Sequence, residues 1–156
     1  MAQLHTVVIR WQVGDGDFAG RRYSRAHTWR FDGGVVVPAS SSPLVVPVPL
    51  SDAAAVDPEE AFVAALSSCH MLWFLDIASR AGYLVQRYED AAEARMGRNA
   101  AGKLVVDVVT LRPLVVFSDA KRPDRAALDA LHHAAHEECF IANSVRSEVV
   151  VEPRGA

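Results

Sequence analysis

Two cysteines, Cys69 and Cys139, are the side chains of this 156-residue chain best suited to covalent chemistry. A thiolate is a nucleophile, and two thiols held together can cycle through a disulfide. Cys69 lies in an apolar run, with Phe62 seven residues before it and Trp73 four after, so a helix would put all three on one side. A free cysteine there is either a small core hydrophobe or a nucleophile, and the nucleophile needs a positive charge close by. Cys139 stands in His136-Glu137-Glu138-Cys139-Phe140-Ile141-Ala142-Asn143-Ser144. A helical turn restarting at Ile141 would put Cys139 at its positive end, which favours a thiolate or an exchange-active sulfur. The alternative is again a core cysteine.

Arg25 is the candidate for the positive charge. In the period-two stretch Arg22–Phe31 it shares a face with Tyr23, His27, Trp29 and Phe31, while Arg22 and Arg30 point the other way. An arginine aimed at a core must be paired, or else it snorkels to water from a strand end. Glu59 is the candidate partner. It lies about 80° around the helix from Cys69 but about 15 Å away along the axis. If both serve one site, Glu59 reaches it from a second subunit or acts through Arg25; otherwise it only complements the helix dipole. His132, His136 and Cys139, at i, i+4 and i+7, offer a second class of chemistry, a metal-ligating helix face. Histidines in a helix's last turns also simply complement its dipole. His5, His27 and His70 point to nothing specific. There is no GxGxxG, Walker loop, GxSxG or HExxH, so nucleotide-dependent chemistry and serine hydrolysis lack support.

The elements that must position these residues follow from periodicity. Leu4–Val13 and Arg22–Phe31 read as two strands of a hairpin, with turns at Gly14-Asp15-Gly16 and Asp32-Gly33-Gly34. Val35–Val56 holds Pro38, Pro43, Pro47 and Pro49, so it is at most an edge strand within a long loop, with valines that need burial. Asp57 reads as a helix N-cap, Pro58 as the first helical residue and Glu60 as the capping-box partner. This helix runs to about Ala81 and stops at Gly82. Its middle is apolar nearly all round, which predicts burial on every side, part of it by a partner subunit. Val85–Met96 and Lys103–Phe117 read as two strands, Pro123–Cys139 as a second helix with Leu128, Leu131, Ala135 and Cys139 inward, Ile141–Ser147 as a short turn, and Glu148–Pro153 as a last strand. The order β-β-α-β-β-α-β predicts an α+β fold with a mostly antiparallel sheet.

Composition narrows the class further. The chain is 51% hydrophobic and 22% charged, with a net charge of −3, as expected of one globular domain spanning 1–156. A pI near 6 without a basic block argues against nucleic-acid binding. No secretory signal is visible, and Ala61–Leu75, broken by Ser67, Ser68 and His70, is shorter than a membrane span. The expected location is the cytoplasm, where thiols are kept reduced.

Asp57-Pro58-Glu59-Glu60 followed by an Ala-rich run into Ser67-Ser68-Cys69-His70 resembles the Asn-Pro-Glu…Ala-Cys helix of the OsmC/Ohr family, the osmotically inducible and organic-hydroperoxide-resistance proteins. The second cysteine followed by Asn143-Ser144 is similar to that family's C-terminal segment. The resemblance spans nearly the whole chain. It implies an OsmC-like fold built as an intertwined homodimer around long central helices. It also implies a thiol peroxidase for organic hydroperoxides that needs no cofactor and is recycled by an external dithiol, without nucleic-acid or membrane partners. Carried over, Cys69 is the peroxidatic cysteine, Cys139 the resolving one and Glu59 the acidic residue. The strand-face argument adds Arg25, and Phe62, Trp73 and Phe140 would wall the substrate. Non-enzymatic binding of a small ligand or a metal is the alternative. Cys139-Phe140 replaces the family's usual Cys-Pro, His70 follows Cys69, and Pro38–Pro49 resembles an insertion, so the chain resembles a side branch.

Overall fold

The computed structural model describes residues 3–118 and 121–155. The chain forms two compact units, Met1–Ala61 and Phe62–Ala156. The first holds an antiparallel sheet in the order β1 (Val7–Arg10), β2 (His27–Phe31), β3 (Val36–Ala39). The expected hairpin is present, with Val7 opposite Phe31 and Arg10 opposite Thr28. Both strands are shorter than their alternation suggests. Between them Trp11, Phe18 and Tyr23 gather into an aromatic cluster, and Arg22 and Asp17 are joined by an ion pair and a backbone bridge.

β3 is the expected edge strand, and its Pro38 lies opposite Thr28. The proline-rich stretch after it is held by polar bonds rather than by its valines. Ser40 donates its N–H to the Val56 carbonyl at 3.0 Å, and its buried hydroxyl accepts from the Asp52 N–H at 2.9 Å. Val35, Val36, Val45 and Val48 stay exposed, which corrects the expectation that they are buried.

The long helix α1 (Pro58–Arg80) begins with the predicted capping box. Glu60 N–H donates to Asp57 Oδ1 at 2.8 Å, and Asp57 N–H donates to Glu60 Oε2 at 3.0 Å. It ends as expected. Gly82 takes φ 76°, and the N–H groups of Gly82 and Tyr83 return to the carbonyls of Ser79 and Ala78. By length and composition α1 could cross a membrane. Within one chain it instead buries a single stripe, Leu66, His70, Phe74 and Ala78, in the core of the second unit. Burial on every side is therefore not met by the chain itself; Leu72, for one, is exposed.

The two strands expected after α1 are each broken in two: β4 (Val85–Asp90) with β5 (Glu93–Arg98), and β6 (Leu104–Leu111) with β7 (Pro113–Phe117). β4 pairs with β7, and β5 pairs with β6. The breaks face each other. Pro113 offers no N–H, and the Asp90 carboxylate takes the Arg112 N–H at 2.6 Å in place of a ladder bond. The last strand, β8 (Glu148–Val151), runs parallel to β6.

The second helix is α2 (Arg125–Glu138). Its N-cap is Asp124, whose carboxylate accepts from the Ala127 N–H at 2.8 Å, so Pro123 lies outside it rather than opening it. Leu128, Leu131, Ala135 and Cys139 face inward as predicted, and His132 joins them. Phe74, Ala78, Phe117, Leu128, Leu131 and Ala135 form one core cluster; Leu66, Val109 and Leu111 form a second. The whole is an α+β fold dominated by antiparallel pairs.

Candidate active site

Arg25 and Glu59 line the same space. In the first unit an open pocket of about 560 Å³ is bounded by Ile9, Trp11, Phe18, Tyr23, Arg25, His27, Ser40, Ser41, Pro58 and Glu59. Arg25 precedes β2 and is fixed at its backbone, where its N–H donates to the Leu50 carbonyl at 2.7 Å. Its guanidinium donates to the Tyr23 carbonyl and lies over the Tyr23 ring, 3.7 Å from the centroid. Stacking of this kind suits the weakly hydrated guanidinium. No ion pair joins Arg25 to Glu59 among the described residues. The pocket thus presents one cation and one carboxylate to an aromatic-walled space.

The cysteines meet in the second unit. Cys69 is half-buried on α1, and Cys139 is 1% exposed at the C-cap of α2. A tight turn holds Cys139. The Asn143 side-chain amide donates to the carbonyls of Glu137 (2.7 Å) and Cys139 (3.1 Å), and the Asn143 N–H donates to the Cys139 carbonyl at 3.0 Å. A single 3₁₀ turn, Ala142–Ser144, follows, as expected after Ile141. The Ala142 N–H points at Cys139 Sγ at 3.4 Å. That donor favours a thiolate, but burial and then the adjoining Cys69 thiol outweigh it and push Cys139 up to about 11. Cys139 is therefore held as a thiol; of the expected alternatives, thiolate, exchange-active sulfur or core cysteine, its burial disfavours the first.

Trp73 and Phe140 meet edge-to-face beside the cysteines, with ring centroids 5.4 Å apart. Phe140 is 68% exposed. Phe62 is placed elsewhere, packed against the cluster of Leu66, Val109 and Leu111.

A model of the OsmC-like protein family matches residues 51–154. The chain belongs to the OsmC-like family. Its fold is close to that of an OsmC-like protein of unknown function from Vibrio cholerae, with 56% identity and a TM-score of 0.95 over 97% of this chain and 99% of that one. The organic hydroperoxide resistance protein OhrB of Bacillus subtilis is 21% identical, with a TM-score of 0.67 over 97% and 98% of the two chains. An organic hydroperoxide resistance protein OsmC from Legionella pneumophila is 16% identical, with a TM-score of 0.68 over 97% of each. These last two likenesses are of fold. A search of curated protein sequences gave no match.

Membership of the OsmC-like family bears out the resemblance read from the Asp57–Glu60 and Cys69 segments. The metal reading gains no support: among the described residues no group of three or more His, Cys, Asp or Glu is placed to hold an ion. His132 instead turns inward and bonds to His70, Nδ1 to Nε2, at 3.0 Å. Sequence reasoning gave His70 no role. Its signal was available, since 70 follows 66 and precedes 74 and 78 on the buried stripe of α1.

Proposed function

We propose that the chain is a single OsmC-like domain that works as a homodimeric, thiol-dependent peroxidase for organic hydroperoxides. The feature that supports this most is the neighbouring placement of Cys69, half-buried on α1, and Cys139, buried at the C-cap of α2. The cysteines differ in the way a two-cysteine cycle requires. Cys69 is the more accessible, and Cys139 is buried and held protonated. The names of the Bacillus subtilis and Legionella pneumophila relatives point the same way.

In the proposed cycle the Cys69 thiolate attacks one oxygen of a hydroperoxide. The O–O bond breaks, the alcohol leaves with a proton, and Cys69 becomes a sulfenic acid. The Cys139 sulfur displaces that hydroxyl as water and closes the disulfide. An external dithiol then reduces it, becoming a disulfide itself. Arg25 and Glu59 from one subunit serve Cys69 of the partner subunit, which resolves the separation of about 15 Å along α1. There Glu59 draws the guanidinium off Tyr23 into a forked pair, and Arg25 orients the peroxide. Trp73 and Phe140 supply an apolar wall suited to an alkyl or lipid chain, while Phe62, packed against Leu66, Val109 and Leu111, takes no part in it. The cytoplasm, where dithiol reductants abound, is the proposed setting.

The aromatic pocket around Arg25 favours one rival reading, a non-enzymatic carrier of a small apolar anion. Peroxide consumption with a dithiol separates the two. We expect turnover of cumene hydroperoxide faster than of hydrogen peroxide, and none in Cys69→Ser. Equal consumption by wild type and Cys69→Ser would end the peroxidase reading.

A further inference from the structure

The helices that carry the two cysteines are joined by a buried polar contact. His70 Nε2 and His132 Nδ1 are 3.0 Å apart, both side chains are buried, and the ring planes are within 5° of parallel with centroids 5.4 Å apart. Phe74 lies on the His132 ring, with centroids 4.3 Å apart. The outer nitrogens, His70 Nδ1 and His132 Nε2, are buried without a hydrogen-bonding partner. Two imidazoles with half their polar atoms unsatisfied are a costly filling for a gap that leucines would occupy. Such a pair does offer direction. One N–H···N bond fixes the rotation and the axial position of one helix against the other, as an apolar contact cannot.

The same register sets how Cys69 and Cys139 approach each other. His70 adjoins Cys69 in sequence, so an axial slip or a rotation of α1 that separates the thiols also breaks the imidazole bond. His132 and Cys139 are seven residues apart and share a face of the second helix. A disulfide accepts only a narrow range of Cα separation and Cβ direction. We infer that the His70–His132 pair is a positioning clasp that holds Cys69 and Cys139 in disulfide-forming register. The inference rests on the proposed thiol cycle only for the existence of the Cys69–Cys139 bond.

A redox titration against dithiothreitol tests the clasp without peroxide. The Cys69 and Cys139 thiols lose two electrons and two protons as their S–S bond forms, and oxidised dithiothreitol gains them as its two thiols. The variants follow from the bonding atoms. Gln at 70 places an amide where Nε2 stands, Asn at 132 places one where Nδ1 stands, and leucine keeps the bulk but not the bond. We expect His70→Leu and His132→Leu to lower the equilibrium constant for disulfide formation about tenfold, the worth of one buried hydrogen bond. His70→Gln and His132→Asn should stay within about threefold of wild type, because the bond survives. Folded leucine variants with an unchanged constant would overturn the clasp. So would amide variants that fall as far as the leucine ones.

Should the leucine variants fail to fold, ¹⁵N NMR of the wild-type imidazoles decides. The hydrogen-bonded pair must persist when the protein is oxidised, and its loss on oxidation overturns the inference. A wild type that forms no Cys69–Cys139 bond against dithiothreitol ends both the clasp and the thiol cycle. Normal disulfide formation without peroxide turnover ends only the peroxidase reading.

Discussion

Trp29 donates its indole N–H to His27 Nε2 at 2.9 Å, and His27 Nδ1 lies 2.7 Å from the Arg25 carbonyl. An acceptor at Nε2 and a carbonyl at Nδ1 leave one arrangement. His27 is the neutral tautomer with its proton on Nδ1, bridging Trp29 to the backbone of Arg25. His27→Ala removes the acceptor from a half-buried indole and the donor from a carbonyl. The expected cost is about 1–2 kcal/mol of stability, read from urea denaturation, with a shift in tryptophan emission. An unchanged midpoint and spectrum would show that the bridge contributes nothing.

The start of α1 admits a simpler prediction. Asp57 and Glu60 satisfy each other's backbone N–H groups, and Asp57 is buried. Asp57→Ala should cost about 1 kcal/mol, the usual worth of an N-cap, and Asp57→Asn should recover most of it. Calorimetric melting of the three proteins checks this.

The buried histidines make stability depend on pH. Burial first, then the nearness of His132 and His136, lowers His70 to about 3. Burial lowers His132 to about 4, with Asp129 opposing and Arg125 assisting. An unfolded chain protonates both near pH 6.5, whereas the folded protein stays unprotonated at these rings well below that. Stability is therefore complete above about pH 6.5 and declines as pH falls toward 4 and then 3, by up to about 1.4 kcal/mol per pH unit for each histidine. Denaturation at pH 7, 6 and 5 should show the decline in wild type. The His70→Leu/His132→Leu double variant should be flatter over that window. Parallel curves would mean that these rings titrate as in the unfolded chain.

Legibility in the sequence followed the range of the interactions. The α1 cap, its glycine stop and the inward face of α2 depend on residues within a turn or two, and they lie where periodicity puts them. The split of Val85–Met96 and Lys103–Phe117 was missed because it depends on Asp90 reaching Arg112, a contact across the sheet. Pro113 was the only local hint. Arg25 lines the pocket with Glu59, but its guanidinium rests on Tyr23, because an aromatic face two residues away in the chain competes with a carboxylate that comes from a distant segment. The His70–His132 bond was hidden for the same reason. Each histidine is unremarkable on its own helix and acquires meaning only when the helices pack.

Arg25 tests the substrate side of the proposed cycle. Arg25→Ala should lower kcat/KM for cumene hydroperoxide by about 10²-fold, the scale of losing one fixed donor to a developing oxyanion. Arg25→Lys should recover little, because a lysine neither stacks on Tyr23 in the same plane nor forks to Glu59. Activity retained in both variants would place another cation at Cys69.

Cys139 tests the other side. It is buried, held protonated, and has Cys69 as a neighbour. With serine at 139, Cys69 can still attack a peroxide, but its sulfenic acid has no internal thiol to meet. Cys139→Ser should therefore consume one equivalent of hydroperoxide quickly and then stall with a dithiol too bulky to reach Cys69. A sulfenic-acid probe such as dimedone should label Cys69 in this variant and scarcely in wild type. Since serine also removes the neighbouring thiol, the first equivalent should react at a rate within about threefold of wild type if Cys139 acts only in resolution. Full steady-state turnover by Cys139→Ser would remove the resolving role. A lost first equivalent would move Cys139 into the attacking step, where its burial and its raised pKa make it the poorer nucleophile.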